Sequence, residues 1–397
     1  MAGATVVAGG FNYGFQVFVG RALGAEQYGV FGALFALFYL LHVVGRGVRF
    51  SASRFAAELD GPAERAAFYR GFLGRSVVLG LASFVSLVAA SPAIASFLGV
   101  GSTLPVVAVA VAIAVELVLT ANQGTLQGLQ RFTALGGFKV VQAGVKFALG
   151  AALVFAGFGL YGAFGAVALG SFAVLGASTG YLYWRLGRPT AATRRFEYRR
   201  AYRYVFPAAL AGFCLTVPAN ADVVLVKHFF PPEAAGYYTA ASVLGKVLVF
   251  LPMGISVALF PKVSADHTAS AERLGPLFDR ALGYTALIGV TGAALYWVAP
   301  ATVLGLVFGP AYVDAAPLVR WYGLAVLAVV LAVIVLNFQL ARDRMGFVYL
   351  YAAGSVVELA LIWAFHASMV QVVQLVLATN AVLFLVGLAV VKLDLDQ

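Results

Sequence analysis

Charge is scarce in this chain. Only 11% of its 397 residues are charged and 62% are hydrophobic, whereas a soluble domain carries about 25% charged residues. A mean hydropathy of +0.94 excludes a protein that covers itself with a polar surface. Cysteine is nearly absent. The one thiol, Cys214, rules out a disulfide framework and, set in an apolar stretch, reads as a packing residue. The four histidines show no metal-ligand spacing. There is no glycine loop of the phosphate-cradling kind and no nucleophile motif, so no catalytic residue, no metal and no cofactor is expected. No Lys or Arg precedes the first apolar run, so that run reads as a span and not as a cleaved signal. None of the connections between apolar runs is long enough for a separate catalytic domain.

What the chain has instead is apolar runs. Backbone groups in lipid must be satisfied internally, which leaves helices or a closed barrel. A barrel would show short alternating segments. Val106–Leu119 and Leu324–Leu336 are apolar on every side, which is a helical signature in lipid. At about 20 residues per crossing, the sequence predicts about twelve spans. The first six are Ala4–Val19, Tyr28–Val48, Phe72–Ala90, Leu104–Leu126, Gly136–Ala156 and Leu160–Trp184. The rest are Tyr204–Val226, Ala235–Phe260, Leu277–Val298, Ala316–Leu340, Phe347–Phe365 and Val370–Val391. The expected fold class is all-α, a polytopic membrane protein.

The net charge of +10 would suggest nucleic acid in a soluble chain. In a membrane chain it marks cytoplasmic loops, and no nucleic-acid partner is expected. With the N-terminus inside, the great majority of the 26 basic residues fall on the even-numbered connections, their flanks and the C-terminal tail. The other side holds Arg21, Lys227 and Arg320, and Lys146 and Lys246 fall inside spans. A plasma-membrane protein with both termini cytoplasmic is expected. The densest basic stretch, Arg185–Arg203, lies at the midpoint. It separates one six-helix bundle over 1–186 from a second over 204–397, with 187–203 as an inner linker.

The halves read as repeats. Gly20–Phe31 follows the first span and Lys227–Tyr238 follows the seventh. Each brings a basic residue, a short turn, a Glu, then Gly and aromatics that open a span. An even number of helices gives both halves one orientation, related by an axis along the membrane normal. Two pseudo-symmetric bundles around a central cavity are the architecture expected.

Charged side chains inside lipid are costly and face a bundle interior or a wet cavity. Here they are Glu116, Lys146, Lys246 and Glu358, with Asp222 near an outer end. Glu116, Thr120, Gln123 and Gln127 share one face of the fourth helix by their spacing. Lys139, Gln142 and Lys146 form a similar stripe on the fifth. Glu116 and Lys146 reach similar depth at ~1.5 Å per residue, which permits an ion pair or a polar wall. Glu358 stands nearly where Lys146 stands in the first half, with opposite charge. Lys246 has no partner in its own span, and a lone buried ammonium is costly, so it favours a wet cavity or an anionic ligand. Arg21, Arg46 and Arg49 end their spans and read by position as interface anchors. His42 and His366 read as packing or interface residues.

These residues carry a resemblance. Arg21-Ala-Leu-Gly-Ala-Glu-Gln-Tyr-Gly-Val-Phe resembles the signature of polysaccharide-biosynthesis flippases. Asn220-Ala-Asp222, Gly236-Tyr-Tyr, Leu259-Phe-Pro261-Lys-Val-Ser and Val307-Phe-Gly309-Pro-Ala-Tyr312 match the second-half pattern. The superfamily also holds multidrug extruders and lipid II flippases. The resemblance implies two six-helix bundles around a V-shaped cavity. It implies that a polyprenyl-diphosphate-linked sugar is flipped from inner to outer leaflet by alternating access.

Carried onto this chain, the residues implied to bind cargo are Arg21, Arg46, Arg49 and Lys246, with Lys146. Glu116, Asp222 and Glu358 are the candidates for gating or for coupling to H+ or Na+. The expected partners are the bilayer and the lipid-linked glycan, for a monomeric transport unit. An ion-coupled multidrug extruder is the alternative within the superfamily, although it would favour an acidic cavity. A membrane-embedded glycosyltransferase would need carboxylates on an outer loop, where Arg21–Gln27 offers only Glu26. A scaffolding role leaves the mid-depth charges without a purpose.

Overall fold

The computed structural model of the chain describes residues 2–187, 198, 199, 205, 212, 213, 216, 217, 219–264, 271–342 and 346–395. Cys214, most of the basic linker and part of the seventh expected span lie outside the described residues. Among the described residues every regular element is a helix, as composition demands. They are α1 (Ala2–Leu41), α2 (Val43–Glu58), α3 (Pro62–Phe97), α4 (Leu104–Gly128), α5 (Phe132–Leu153) and α6 (Gly159–Leu186). Then follow α7 (Ala221–Phe229), α8 (Pro232–Ser264), α9 (Ala271–Val298), α10 (Pro300–Val307), α11 (Ala316–Ala341), α12 (Gly346–Ala364) and α13 (Met369–Leu395).

Eight stretches among the described residues are long and apolar enough to cross a membrane. Two of them, Gly3–Glu58 and Phe132–Leu186, run for 56 and 55 residues, over twice the roughly 20 that one crossing takes. Each is broken at glycine. Gly24 kinks α1 with φ 75 and ψ 169, and a π-turn at Val154–Phe158 carries Gly157 at φ 90. Positive φ is open to glycine at little cost. Where the sequence predicts a short turn between the first two spans, the chain therefore stays helical on both sides of one residue.

The helices form two units, Met1–Leu23 with Leu34–Phe213, and Gly24–Ala33 with Cys214–Gln397. In the first, α4 is the enclosed helix, with 72% of its most apolar window buried, and α3 is the lipid-facing one, with 11%. The α3 side chains Val78, Leu81 and Val85 are exposed, as a lipid-facing row should be. Val48, Phe55, Phe68, Phe72 and Leu117 form a core between α2, α3 and α4. A Cβ at Gly124 would lie 2.3 Å from the Arg49 carbonyl oxygen. The glycine lets α2 and α4 cross backbone to backbone, which brings Arg49 alongside Gln127.

In the second unit α11 takes the enclosed place, within a stretch whose most apolar window is 67% buried. It is the fourth expected span of its half, as α4 is of the first. The segment Gly24–Ala33 packs here. Tyr28 is fully buried, with the rings of Phe308 and Tyr312 at 5.7 and 6.1 Å. A Cβ on Gly236 would fall 1.9 Å from the Ala25 carbonyl oxygen. The two repeated motifs read from the sequence thus cross each other at a contact with no room for a side chain.

Candidate functional site

The first unit gathers its polar side chains from α1, α2, α4, α5 and α6. Arg49 donates through Nε and Nη2 to Gln127 Oε1 at 3.1 and 2.9 Å. Buried Glu116 accepts at Oε2 from Gln142 Nε2 at 2.7 Å and from Ser171 Oγ at 2.8 Å. Lys146 donates to Asn12 Oδ1, and its ammonium lies over the rings of Phe15 and Phe35 at 4.9 and 5.8 Å. Glu116 and Lys146 come to similar depth but form no ion pair. The reason is packing. Helices α4 and α5 both lie against α6, whose Ser171 takes the carboxylate, and Lys146 turns to α1.

Three cations of this unit are left without an ion pair among the described residues. The side chains of Arg46 and Lys139 make no hydrogen bond to another described residue, and that of Arg49 has only Gln127. None of Arg46, Arg49, Lys139 or Lys146 forms an ion pair among the described residues. Arg46 and Arg49 lie within electrostatic reach of each other, as do Arg49 and Lys139. Lys139 lines a narrow crevice with Gln123, Gln142 and Ser178. The stripe on α5 pointed to Lys139 in sequence, yet only Lys146 was singled out there. Arg21 is exposed, three positions before the Gly24 kink.

The second unit holds a buried acidic cluster. Asp222 on α7 is fully buried, and its Oδ2 accepts from the hydroxyls of Tyr238 on α8 and Tyr322 on α11 at 2.9 and 2.6 Å. Tyr322 and Ser242 also share a 3.0 Å contact. Glu358 on α12 accepts at Oε2 from Asn380 Nδ2 of α13 at 2.7 Å. Asp222 Oδ1 and Glu358 Oε1 are both buried without a hydrogen-bond partner. The two carboxylates are within electrostatic reach of each other. Orphaned buried oxygens carry a desolvation cost, which a proton or a cation arriving between them would relieve. Lys246 donates to Asn220 Oδ1 at 3.1 Å and feels the charge of Asp222. Tyr238 stands in the Gly236-Tyr-Tyr motif, but neither its partner nor Tyr322 and Asn380 carry a sequence signal, because an uncharged polar residue in a span declares its partner only through packing.

Other polar groups brace the fold. Tyr69 donates to Asn122 Oδ1 at 2.9 Å, and Asn122 Nδ2 reaches Ser178 and Thr179, tying α3, α4 and α6 together. In the linker, Tyr198 donates to the Ala67 carbonyl at 3.2 Å and stacks on Phe68, with the Arg75 guanidinium 3.7 Å from its ring centroid. Burial pushes the Tyr198 hydroxyl above its ordinary range, so it stays a neutral donor to α3. His366 packs flat on Phe229.

A family model described as polysaccharide biosynthesis protein matches residues 18–317. No curated protein matches the chain by sequence. Solved structures share its fold at low identity. One is the inward-facing conformation of a multidrug resistance MATE family transporter of the MOP superfamily, with TM-score 0.85, 14% identity and coverage of 97% of this chain and 94% of that one. Another is the lipid II flippase MurJ in an inward closed conformation, with TM-score 0.80, 14% identity and coverage of 98% and 87%. A third is a MOP superfamily transporter from Pyrococcus furiosus, whose reverse pocket polarity is taken to suggest a different function, with TM-score 0.69, 16% identity and coverage of 99% and 93%. With this helical fold and a match over most of its length, the chain belongs to the polysaccharide biosynthesis protein family.

Proposed function

We propose that this protein is a flippase that moves a polyprenyl-diphosphate-linked oligosaccharide, a polysaccharide precursor, from the inner to the outer leaflet of a plasma membrane by alternating access. The observation that carries this reading is the group Arg46, Arg49 and Lys139. These are three cations in one helical unit with no carboxylate ion-paired to them among the described residues. Partly buried positive charge without an ion-paired carboxylate is costly, and a diphosphate is the chemistry that offsets it. Charge-assisted bonds from guanidinium to phosphate are among the stronger hydrogen bonds. Lys146 lies farther along the same stripe of α5 and offers the headgroup a second cation. No covalent step is needed: the prenyl tail stays in lipid while the headgroup crosses.

In this reading Asp222 and Glu358 serve a coupling ion, H+ or Na+, at the two orphaned oxygens, and Lys246 and Asn220 border that cluster. The same carboxylates favour a second reading, an ion-coupled extruder of cationic drugs, since acidic groups suit a cationic cargo. The two readings separate in one experiment. Arg46→Ala with Arg49→Ala is expressed in cells lacking their own flippase, and glycan export is measured beside drug resistance. Export should fall at least about tenfold, in line with loss of charge-assisted contacts. Full export by the double variant, or drug resistance conferred by the wild type alone, would overturn the flippase reading.

A further inference from the structure

His42 stands at the break between α1 and α2, one turn before Arg46 and two before Arg49 on the same face. Its ring lies parallel to Phe38, with centroids 5.9 Å apart. A Cβ at Gly45 would meet both the His42 ring and Thr120 of α4, which places the imidazole near the seam between α2 and α4. Glu116 is one turn from Thr120 on that helix. Neither ring nitrogen makes a hydrogen bond to another described residue. The charged groups within electrostatic reach of it are Arg46 and Arg49 on α2 and Glu116 on α4; Glu116 also acts on Tyr39 of α1 and on Lys139 and Lys146 of α5. Glu116 is held by Gln142 and Ser171.

We infer that His42 links cargo loading to proton uptake: an anionic headgroup seated on Arg46 and Arg49 draws a proton onto the imidazole, and the protonated ring tightens the headgroup. This rests on the anionic cargo proposed above. Without cargo, burial and two arginines oppose a further positive charge on the ring, and Glu116 alone favours it. A diphosphate brings two or more negative charges to the same place, reverses the local field and offers phosphate oxygens to a ring N–H that has no other partner. Histidine is the side chain whose charge changes most readily near neutral pH. Linkage is reciprocal, so the factor by which cargo favours the proton is the factor by which the proton favours cargo. The neighbouring cations bind phosphate at any such pH. His42 makes the site sense whether it is filled.

The test uses the purified full-length protein in detergent with geranylgeranyl diphosphate as the probe. Calorimetry in two buffers of different ionisation enthalpy counts protons taken up on binding, for wild type and for His42→Gln. The probe's own ionisation is common to both, so the difference reports the ring. Wild type should take up more protons than the variant, and its affinity should weaken several-fold between about pH 6 and pH 8 while the variant's changes less. Equal proton counts with binding intact would overturn the role of His42 and leave the flippase reading standing. No binding by the wild type would sink both. If His42→Gln fails to fold or bind, imidazole NMR of the wild type decides. Only four histidines are present, and the His42 signal must move toward its protonated position when probe is added at fixed pH; an unmoved signal would overturn the inference.

Discussion

Asp222 and Tyr322 are 100 residues apart in sequence and joined by a 2.6 Å hydrogen bond, phenol to carboxylate, in the buried interior of the second unit. The same carboxylate oxygen takes the Tyr238 hydroxyl, so one oxygen is doubly held and the other has no partner. Tyr322→Phe removes one donor and keeps the ring. The cost should be about 1–3 kcal/mol, the usual range for a buried group left short of a hydrogen bond. A melting curve in detergent checks this. Unchanged stability would mean that Tyr322 does not hold Asp222.

Glu358→Gln should behave in the opposite way. The carboxylate is buried and held at one oxygen by Asn380. A neutral amide of the same shape avoids burying a charge, so the melting temperature should stay level or rise. Transport into vesicles should meanwhile lose its dependence on Na+ or on the pH gradient. Retained ion dependence would remove Glu358 from the coupling cluster.

The crossing of the two repeated motifs is open to a steric test. At Gly236 a Cβ would sit 1.9 Å from the Ala25 carbonyl oxygen. Gly236→Leu should lower folded yield and cost roughly 1–3 kcal/mol or more through overpacking. Gly137→Leu is the control, because a Cβ there meets nothing within 4 Å. Equal yields for the two would show that the tight contact is not needed.

Lys146 distinguishes a brace from a binding group. Lys146→Met keeps the stem between Phe15 and Phe35 and drops the charge and the bond to Asn12. Glycan export should fall several-fold with little change in melting temperature, since burying an ammonium is itself unfavourable. Lost stability with export per folded molecule unchanged would make Lys146 a brace.

Some of the site was legible before any coordinates. The α4 stripe of Glu116, Thr120, Gln123 and Gln127 follows from helical spacing, but not its partners: Gln127 meets Arg49 and Glu116 meets Gln142, where the spacing suggests Lys146 for Glu116. Thr120 turns its hydroxyl back to the Leu117 carbonyl at 2.6 Å. Asn122 lies off the stripe and anchors a different network. Asn12, Ser171, Tyr322 and Asn380 give no warning, and the motif that holds Tyr238 does not name its partner. A neutral polar side chain has no long-range field, so its role appears only when another helix is laid against it.

Composition and hydropathy by themselves determined that this chain is an all-helical membrane protein, because lipid leaves the backbone no other way to satisfy its hydrogen bonds in apolar runs of this length. The basic residues and the repeated motifs determined a division into two alike halves as an expectation. Tertiary structure alone decided that Gly24–Ala33 packs with the second unit, that Glu116 turns to Ser171 and not to Lys146, and that Asp222 and Glu358 each keep an oxygen without a donor. Each outcome depends on helix rotation and crossing, which are set by shape at contacts such as Gly124 against Arg49 and Gly236 against Ala25. A one-dimensional pattern records which face of a helix is polar; it does not record which neighbour that face will meet.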